Sequence, residues 1–255
     1  MMTLPQLSHP RELILSVDTI ADVPGLLKGN LSPEELAVTS IFFDIDWTAL
    51  TVSRDTFFCD EIELWVHEEL LSGRITPQKR TEIHSWVMNF PAQSREGAIT
   101  QHVIAELKKM VPCFVYLTAR RDSIAEITKR HLAEAELPLG TALSTSPQGL
   151  VSTNGFPKAD SAEDLYYEEE TVNATRCMVL IDDSEVYVRD FASVCDTLGV
   201  RSIGIHYARE KEIPNPIRSE AITKFLQRNG LLPEAADLSE TPPLAEVKTS
   251  DEPQG

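Results

Sequence analysis

Three apolar runs end in residues that could act together. Asp44 and Asp46 follow Val38–Phe43 (VTSIFF) as Asp-Ile-Asp, with Trp47 and Thr48 behind them. Thr118 follows Cys113–Leu117 (CFVYL), with Ala119 and Arg120 next in line. Asp182 and Asp183 follow Met178–Ile181 (MVLI). Asp44–Asp46 is the only D-x-D in the chain. Alternate residues of an extended segment point to opposite sides. A D-x-D just past a strand end can nevertheless turn both carboxylates into one crevice as the chain begins to loop. With Asp182 and Asp183 this gathers four negative charges, which is costly unless a cation sits among them or some stay protonated. The candidate metal ligands Asp44, Asp46, Asp182 and Asp183 all offer hard oxygens, a donor set for Mg²⁺ rather than zinc. A bound Mg²⁺ would also hold a phosphate beside otherwise repulsive aspartates. Each pair of acids alone reads equally well as a turn or helix cap. Their joint placement after strands carries the argument.

The elements that must position these residues follow from pattern. The three runs are β-branched or aromatic and short, as buried strands are. Val200–Tyr207 (VRSIGIHY) reads as a fourth strand, and Leu13–Val17 (LILSV) is a shorter apolar run. Residues 51–111 look helical in three stretches: Phe58, Ile62, Trp65 and Leu70; Ile83, Trp86, Val87 and Phe90; Ile99, Val103, Ile104 and Leu107. A helix after Thr118 has Asp122 as its expected N-cap and Ile124, Ile127, His131, Leu132 and Ala135 on its inner face. Further helices are expected at about 186–198 and 216–229, the last closed by Gly230. Residues 138–160 are rich in Pro, Gly, Ser and Thr, with a short strand or hairpin in GLVSTNGF. Strands that alternate with helices predict an α/β fold, a parallel sheet with helices on both faces. Ligands of such sheets bind outside the carboxyl ends of the strands, where all the acids above fall.

Composition narrows the partners. The chain has 255 residues, 42% of them hydrophobic, enough for one α/β domain with an insertion. Its 40 acidic residues outweigh 23 basic ones, and the net charge of −17 disfavours nucleic acid. Cys59, Cys113, Cys177 and Cys195 form no CxxC pair, so reduced thiols are expected. The N-terminus lacks a basic segment followed by an apolar one, and no run approaches a membrane span. A cytoplasmic protein follows as the expectation, with signal-less export left open. Residues 234–255 are acidic, contain proline and are poor in large apolar side chains, which predicts a disordered tail.

The segments IFFDIDWT, FVYLTAR, a lysine near FPKAD, and VLIDD together resemble the four motifs of the haloacid dehalogenase (HAD) superfamily, over about residues 36–207. The resemblance implies a Rossmann-like HAD core and a Mg²⁺-dependent phosphohydrolase working through an aspartyl phosphate on Asp44. It implies Asp46 as general acid and then base, and Thr118 as a hydroxyl donor to a phosphoryl oxygen. Lys158 is the candidate for the motif lysine, with Lys129 as its rival. Asp182 would bind Mg²⁺ directly, beside Asp44 and the backbone carbonyl of Asp46, and Asp183 directly or through water. L-T-A-R also resembles a bacterial HAD group related to acid phosphatases, which implies bacterial origin. Trp47 departs from the glycine common at that position. Residues 51–111 fall where such proteins carry a helical cap, which implies a core of 1–50 and 112–233. The implied substrate is a small phosphorylated molecule or a phosphoprotein. A phosphotransferase on the same fold and a non-catalytic interaction protein stay open as alternatives. HEELL at His67–Leu71 begins like a zinc-protease motif, but Leu71 stands where the second histidine would be.

Overall fold

The apolar runs become the middle of a parallel sheet. A computed structural model describes residues 12–52, 58–89, 91–209 and 219–233. In chain order the elements are β1 (Glu12–Val17), α1 (Val23–Asn30), α2 (Pro33–Leu36), β2 (Thr39–Phe43), β3 (Leu50–Val52), α3 (Phe58–Leu71), α4 (Pro77–Val87), β4 (Ala92–Ser94), α5 (Ala98–Met110) and β5 (Cys113–Thr118). They continue as α6 (Ala125–Glu134), β6 (Leu150–Ser152), α7 (Lys158–Glu168), α8 (Glu170–Asn173), β7 (Cys177–Asp182), α9 (Glu185–Leu198), β8 (Arg201–Tyr207) and α10 (Ser219–Arg228). The chain divides into two units, residues 1–59 with 85–214 and residues 60–84 with 215–255.

The first unit holds a six-stranded sheet in the order β1-β8-β7-β2-β5-β6, every pairing parallel. Parallel neighbours need crossovers, and here helices supply most of them. This is the expected α/β, Rossmann-like class. β2 lies at the centre, between β5 and β7. The pleat sorts side chains strictly. Ile41, Phe43, Phe114, Tyr116, Val179 and Ile181 face one layer, with Val103, Ile104 and Leu107 of α5 and Leu132 of α6. Phe42, Val115, Leu117, Met178 and Leu180 face the other, with Ala162 and Leu165 of α7 and Val188, Phe191 and Cys195 of α9. A strand covered on both faces must be apolar at every position, so these runs show no alternation.

Local signals set the helix ends. Ser32 and Glu35 form a capping box at α2. Gly199, at φ 70°, ends α9 in the left-handed conformation glycine favours. Asp122 does not cap a helix: a short 3₁₀ turn starts at Asp122 with Arg121 before it. The Asp122 amide instead donates to Asn154 Oδ1 at 2.9 Å, and Asn154 Nδ2 donates to Asp122 Oδ2 at 2.8 Å. The apolar run at Leu13–Val17 is the edge strand β1, in register with β8. Within the helix-like stretch, β3 and β4 form an antiparallel pair. Phe90, the first residues of the last expected helix (216–218) and the tail at 234–255 lie outside the described residues. The second unit contains most of α3 and α4 and all of α10, with Ile62, Trp65, Val66, Ile83, Ile222 and Leu226 buried.

Gly204 in β8 lies close under α9: a Cβ there would meet Val188 Cγ1 at 2.3 Å. Gly204→Ala should therefore cost about 1–3 kcal/mol by overpacking, a fall in Tm of several degrees in thermal melts. Val188→Ala in the same chain should recover part of that loss; two additive losses would show that the tight approach is not the cause.

Candidate active site

Strand register builds the site. Phe43 pairs with Ile181, so Asp44 and Asp182, the next residues, emerge side by side at the carboxyl edge. The Asp44 amide continues the ladder by donating to the Ile181 carbonyl at 2.9 Å. By pleat parity both carboxylates belong to the face of Phe42 and Leu180, under α7 and α9. Lys158 is the first residue of α7, and its side chain is 3% exposed. Its Nζ donates to Asp44 Oδ1 and, at 2.6 Å, to Asp182 Oδ2. The ring of Tyr187, on α9, lies 5.0 Å from the same ammonium.

Thr48 closes the other side. Its hydroxyl donates to Asp44 Oδ2 at 2.8 Å and accepts the Asp183 amide at 3.1 Å. Asp182 Oδ1 accepts the Ser184 amide at 2.8 Å. Asp44, Asp182 and Asp183 each bring a carboxylate oxygen within 4.8 Å of the others'. Asp44 and Asp182 are buried and Asp183 is half-buried. The side chain of Asp46 is not one of this group.

The electrostatics are unbalanced toward negative charge. Burial pushes the Asp44 carboxyl up to about 8; Lys158 pulls it down, while Asp182, Asp46 and Asp183 push it further up. Asp182 is raised as well, first by burial, against the pull of Lys158. Burial works to lower the Lys158 ammonium, but the carboxylates of Asp44 and Asp182 more than offset it and hold it above its ordinary value. One ammonium thus faces three convergent carboxylates. A hard divalent cation suits this donor set by both charge and ligand type.

Asp46 turns to a different partner. Arg120 grips it with two nitrogens, Nη2 to Oδ1 at 2.6 Å and Nε to Oδ2 at 2.9 Å. Enclosure works to raise the Asp46 carboxyl, but the Arg120 charge and hydrogen bonds prevail and hold it below its usual range. The Asp46 side chain remains 47% exposed while that of Arg120 is only 7% exposed. Thr118 is fully buried at the end of β5, and its hydroxyl accepts the Arg120 amide at 3.2 Å. Trp47 adopts φ 65°, unusual for a bulky residue. Its amide donates to the Leu50 carbonyl at 2.8 Å, and Arg95 lies over its ring, 5.1 Å from the centroid. Lys129 is elsewhere: it pairs with Glu126 at 2.5 Å on α6.

The chain therefore brings Asp44, Lys158, Asp182 and Asp183 together, with Asp46 and Thr118 on neighbouring segments. Thr48 and Tyr187 join them without having been singled out by type or spacing. Thr48 stands inside the first motif, so its place four residues after Asp44 was a readable signal; nothing marks Tyr187.

Titration of Asp44 makes stability depend on pH. Between about pH 4 and pH 8 the folded chain holds a proton on Asp44 that the unfolded chain has released, so folding stability falls as pH rises through that window. Melts in chelator should show Tm declining from pH 5 to pH 8, and Asp44→Asn should flatten the decline. An unchanged slope in the variant would mean that Asp44 is not the group responsible.

No family model matches the chain. No curated protein matches it significantly. Among solved structures it is similar to a HAD family hydrolase from Deinococcus radiodurans R1, crystallised with bound phosphate and sodium, at 11% identity over 78% of this chain and 99% of that one, with a TM-score of 0.33. It is also similar to a class C acid phosphatase from Bacillus anthracis, crystallised with tungstate, at 13% identity over 84% of this chain and 88% of that one, with a TM-score of 0.39.

Proposed function

We propose that the chain is a phosphohydrolase acting on phosphomonoesters of small molecules, with Asp44 as its nucleophile. The observation that carries this reading is the setting of Asp44: a buried carboxylate at the end of the central strand, held between the Lys158 ammonium and the Thr48 hydroxyl, with Asp182 and Asp183 converging on it. A structural carboxylate would be saturated by donors or left in water. This one is crowded by like charge, as a group kept for chemistry is.

The steps follow from the residues. A carboxylate oxygen of Asp44 attacks phosphorus, a P–O bond to Asp44 forms and the ester P–O bond breaks. Asp46 is ionised in the free chain; the arriving phosphate's negative charge raises its proton affinity, so it takes up a proton from solvent and passes it to the leaving oxygen. Water then attacks phosphorus, the bond to Asp44 breaks, and Asp46 takes up the proton released. The hydroxyl of Thr118 accepts from Arg120, so its own proton is available to a phosphoryl oxygen. Lys158 offsets negative charge on Asp44 and on the transferring group. Asp44, Asp182 and Asp183 would hold Mg²⁺, which when bound keeps Asp44 ionised and draws charge from the phosphoryl oxygens.

The test is phosphate release from 4-nitrophenyl phosphate and a panel of phosphorylated metabolites, with Mg²⁺ or with chelator. Wild type should turn over only with Mg²⁺, and Asp44→Asn should lose at least about 1,000-fold while keeping its circular dichroism spectrum. Lys158→Met should be comparably inactive and also less stable, by about 3–5 kcal/mol, because it leaves buried carboxylates uncompensated. Turnover that survives in Asp44→Asn would sink the reading.

A further inference from the structure

The grip on Asp46 has more structure behind it than an ion pair needs. Arg120 presents the edge of its guanidinium, Nε and Nη2, to the carboxylate. The remaining nitrogen, Nη1, is held from behind by α6, at 3.3 Å from Thr128 Oγ1 and 3.1 Å from His131 Nδ1. A guanidinium keeps its protons and has no acceptor, so Nδ1 of His131 must accept. Thr128 and His131 are both buried. At its own backbone Arg120 donates to the Thr118 hydroxyl. The nearly buried arginine is thus fixed at three places and offers a preset fork to a carboxylate that is half in solvent.

Asp46 needs such a fixture. It lies on the loop after β2, where an isolated backbone bridge to Leu50 and the left-handed turn at Trp47 set the main chain. Those constraints leave the carboxylate free to rotate. A two-point grip removes that freedom and holds the plane of the carboxylate.

We propose that Arg120 is the positioning residue for Asp46, holding the carboxylate at the orientation from which it exchanges a proton with the leaving-group oxygen. The proposal rests on the phosphohydrolase reading. Arg120 acts through Asp46, with Thr128 and His131 as its anchors. Its loss is therefore felt by leaving groups that need a proton and far less by those that depart as stable anions.

The experiment compares kcat/KM for 4-nitrophenyl phosphate, whose leaving group departs as a stable anion, and glycerol 2-phosphate, whose alkoxide must be protonated. A positioned general acid contributes ~10²–10⁴-fold. Arg120→Met should thus lose about 100-fold more on the alkyl ester than on the aryl ester. Arg120→Lys should recover little of this, because an ammonium cannot reproduce the fork. Asp46→Asn should show the same selective loss, and adding Arg120→Met to it should change the ratio no further. Thr128→Val, which removes one anchor and keeps the side-chain shape, should shift the ratio the same way by several-fold, and it carries the test should Arg120→Met not fold. Equal losses on both esters, full rescue by lysine, or additive shifts in the double variant would overturn the proposal. Wild type inactive on both esters would overturn the phosphohydrolase reading and this proposal with it, whereas an active wild type with an unchanged ratio in the variants would overturn only the role of Arg120.

Discussion

A buried ammonium between two buried carboxylates organises this molecule. Lys158 begins α7, Asp44 follows the central strand and Asp182 ends its neighbour, so one side chain ties three elements together at the carboxyl edge. None of the three could be buried alone, since an ion taken out of water without a partner costs several kcal/mol. Sheet register places the two acids side by side, and the start of α7 must come to them. Burial raises the Asp44 carboxyl first, and the neighbouring carboxylates add to it against the pull of Lys158, so it is pushed up to about 8.

Other buried carboxylates show the contrast. Glu169, 3% exposed, accepts the amides and hydroxyls of both Ser144 and Thr145. Burial works to raise it, but those donors, Thr145 foremost, bring it down to about 2. Glu96 likewise accepts from Thr19, the Ile20 amide and Tyr207, with Arg209 beside it, and is held below its ordinary value despite burial. Both acids pin loops, Glu169 the segment before β6 and Glu96 the turn after β1. The lone pairs of Glu169 are taken by neutral donors, and those of Glu96 by neutral donors and the Arg209 guanidinium. Asp44 and Asp182 have fewer donors and more like charge, so they can accept something more.

Much of this was legible in the sequence. Strands covered on both faces leave unbroken apolar runs, and all three central ones read correctly, with the acids and the threonine standing at their carboxyl ends. β1 was less clear because it lies at the sheet edge and is only partly buried, where the same residues could belong to a loop. The β3–β4 pair was hidden because three residues per strand carry no period. Asp122 looked like a cap because its type favours caps; its partner Asn154 lies on a distant loop, and no local pattern announces such a pair. Lys129 and Lys158 were equal as residue types, and only the position of α7 against the sheet separates their surroundings. The helix at α5 was readable from Val103, Ile104 and Leu107, but an amphipathic stripe does not say which surface it will cover.

The pairing of β2 with β7 also bears on when the site comes into being. The two strands that present Asp44 and Asp182 are separated by most of the chain, including α3, α4, α5 and the whole of β5 and β6. Contacts between such distant segments form slowly, since a long loop must close before they stabilise anything. On a ribosome the first carboxylate would emerge long before the strand that aligns the second. Until β7 docks, Asp44 sits at an open strand edge, in water and ordinarily ionised. The anomalous acidity of the centre is therefore acquired late in assembly, and a centre that titrates abnormally would report that assembly is complete.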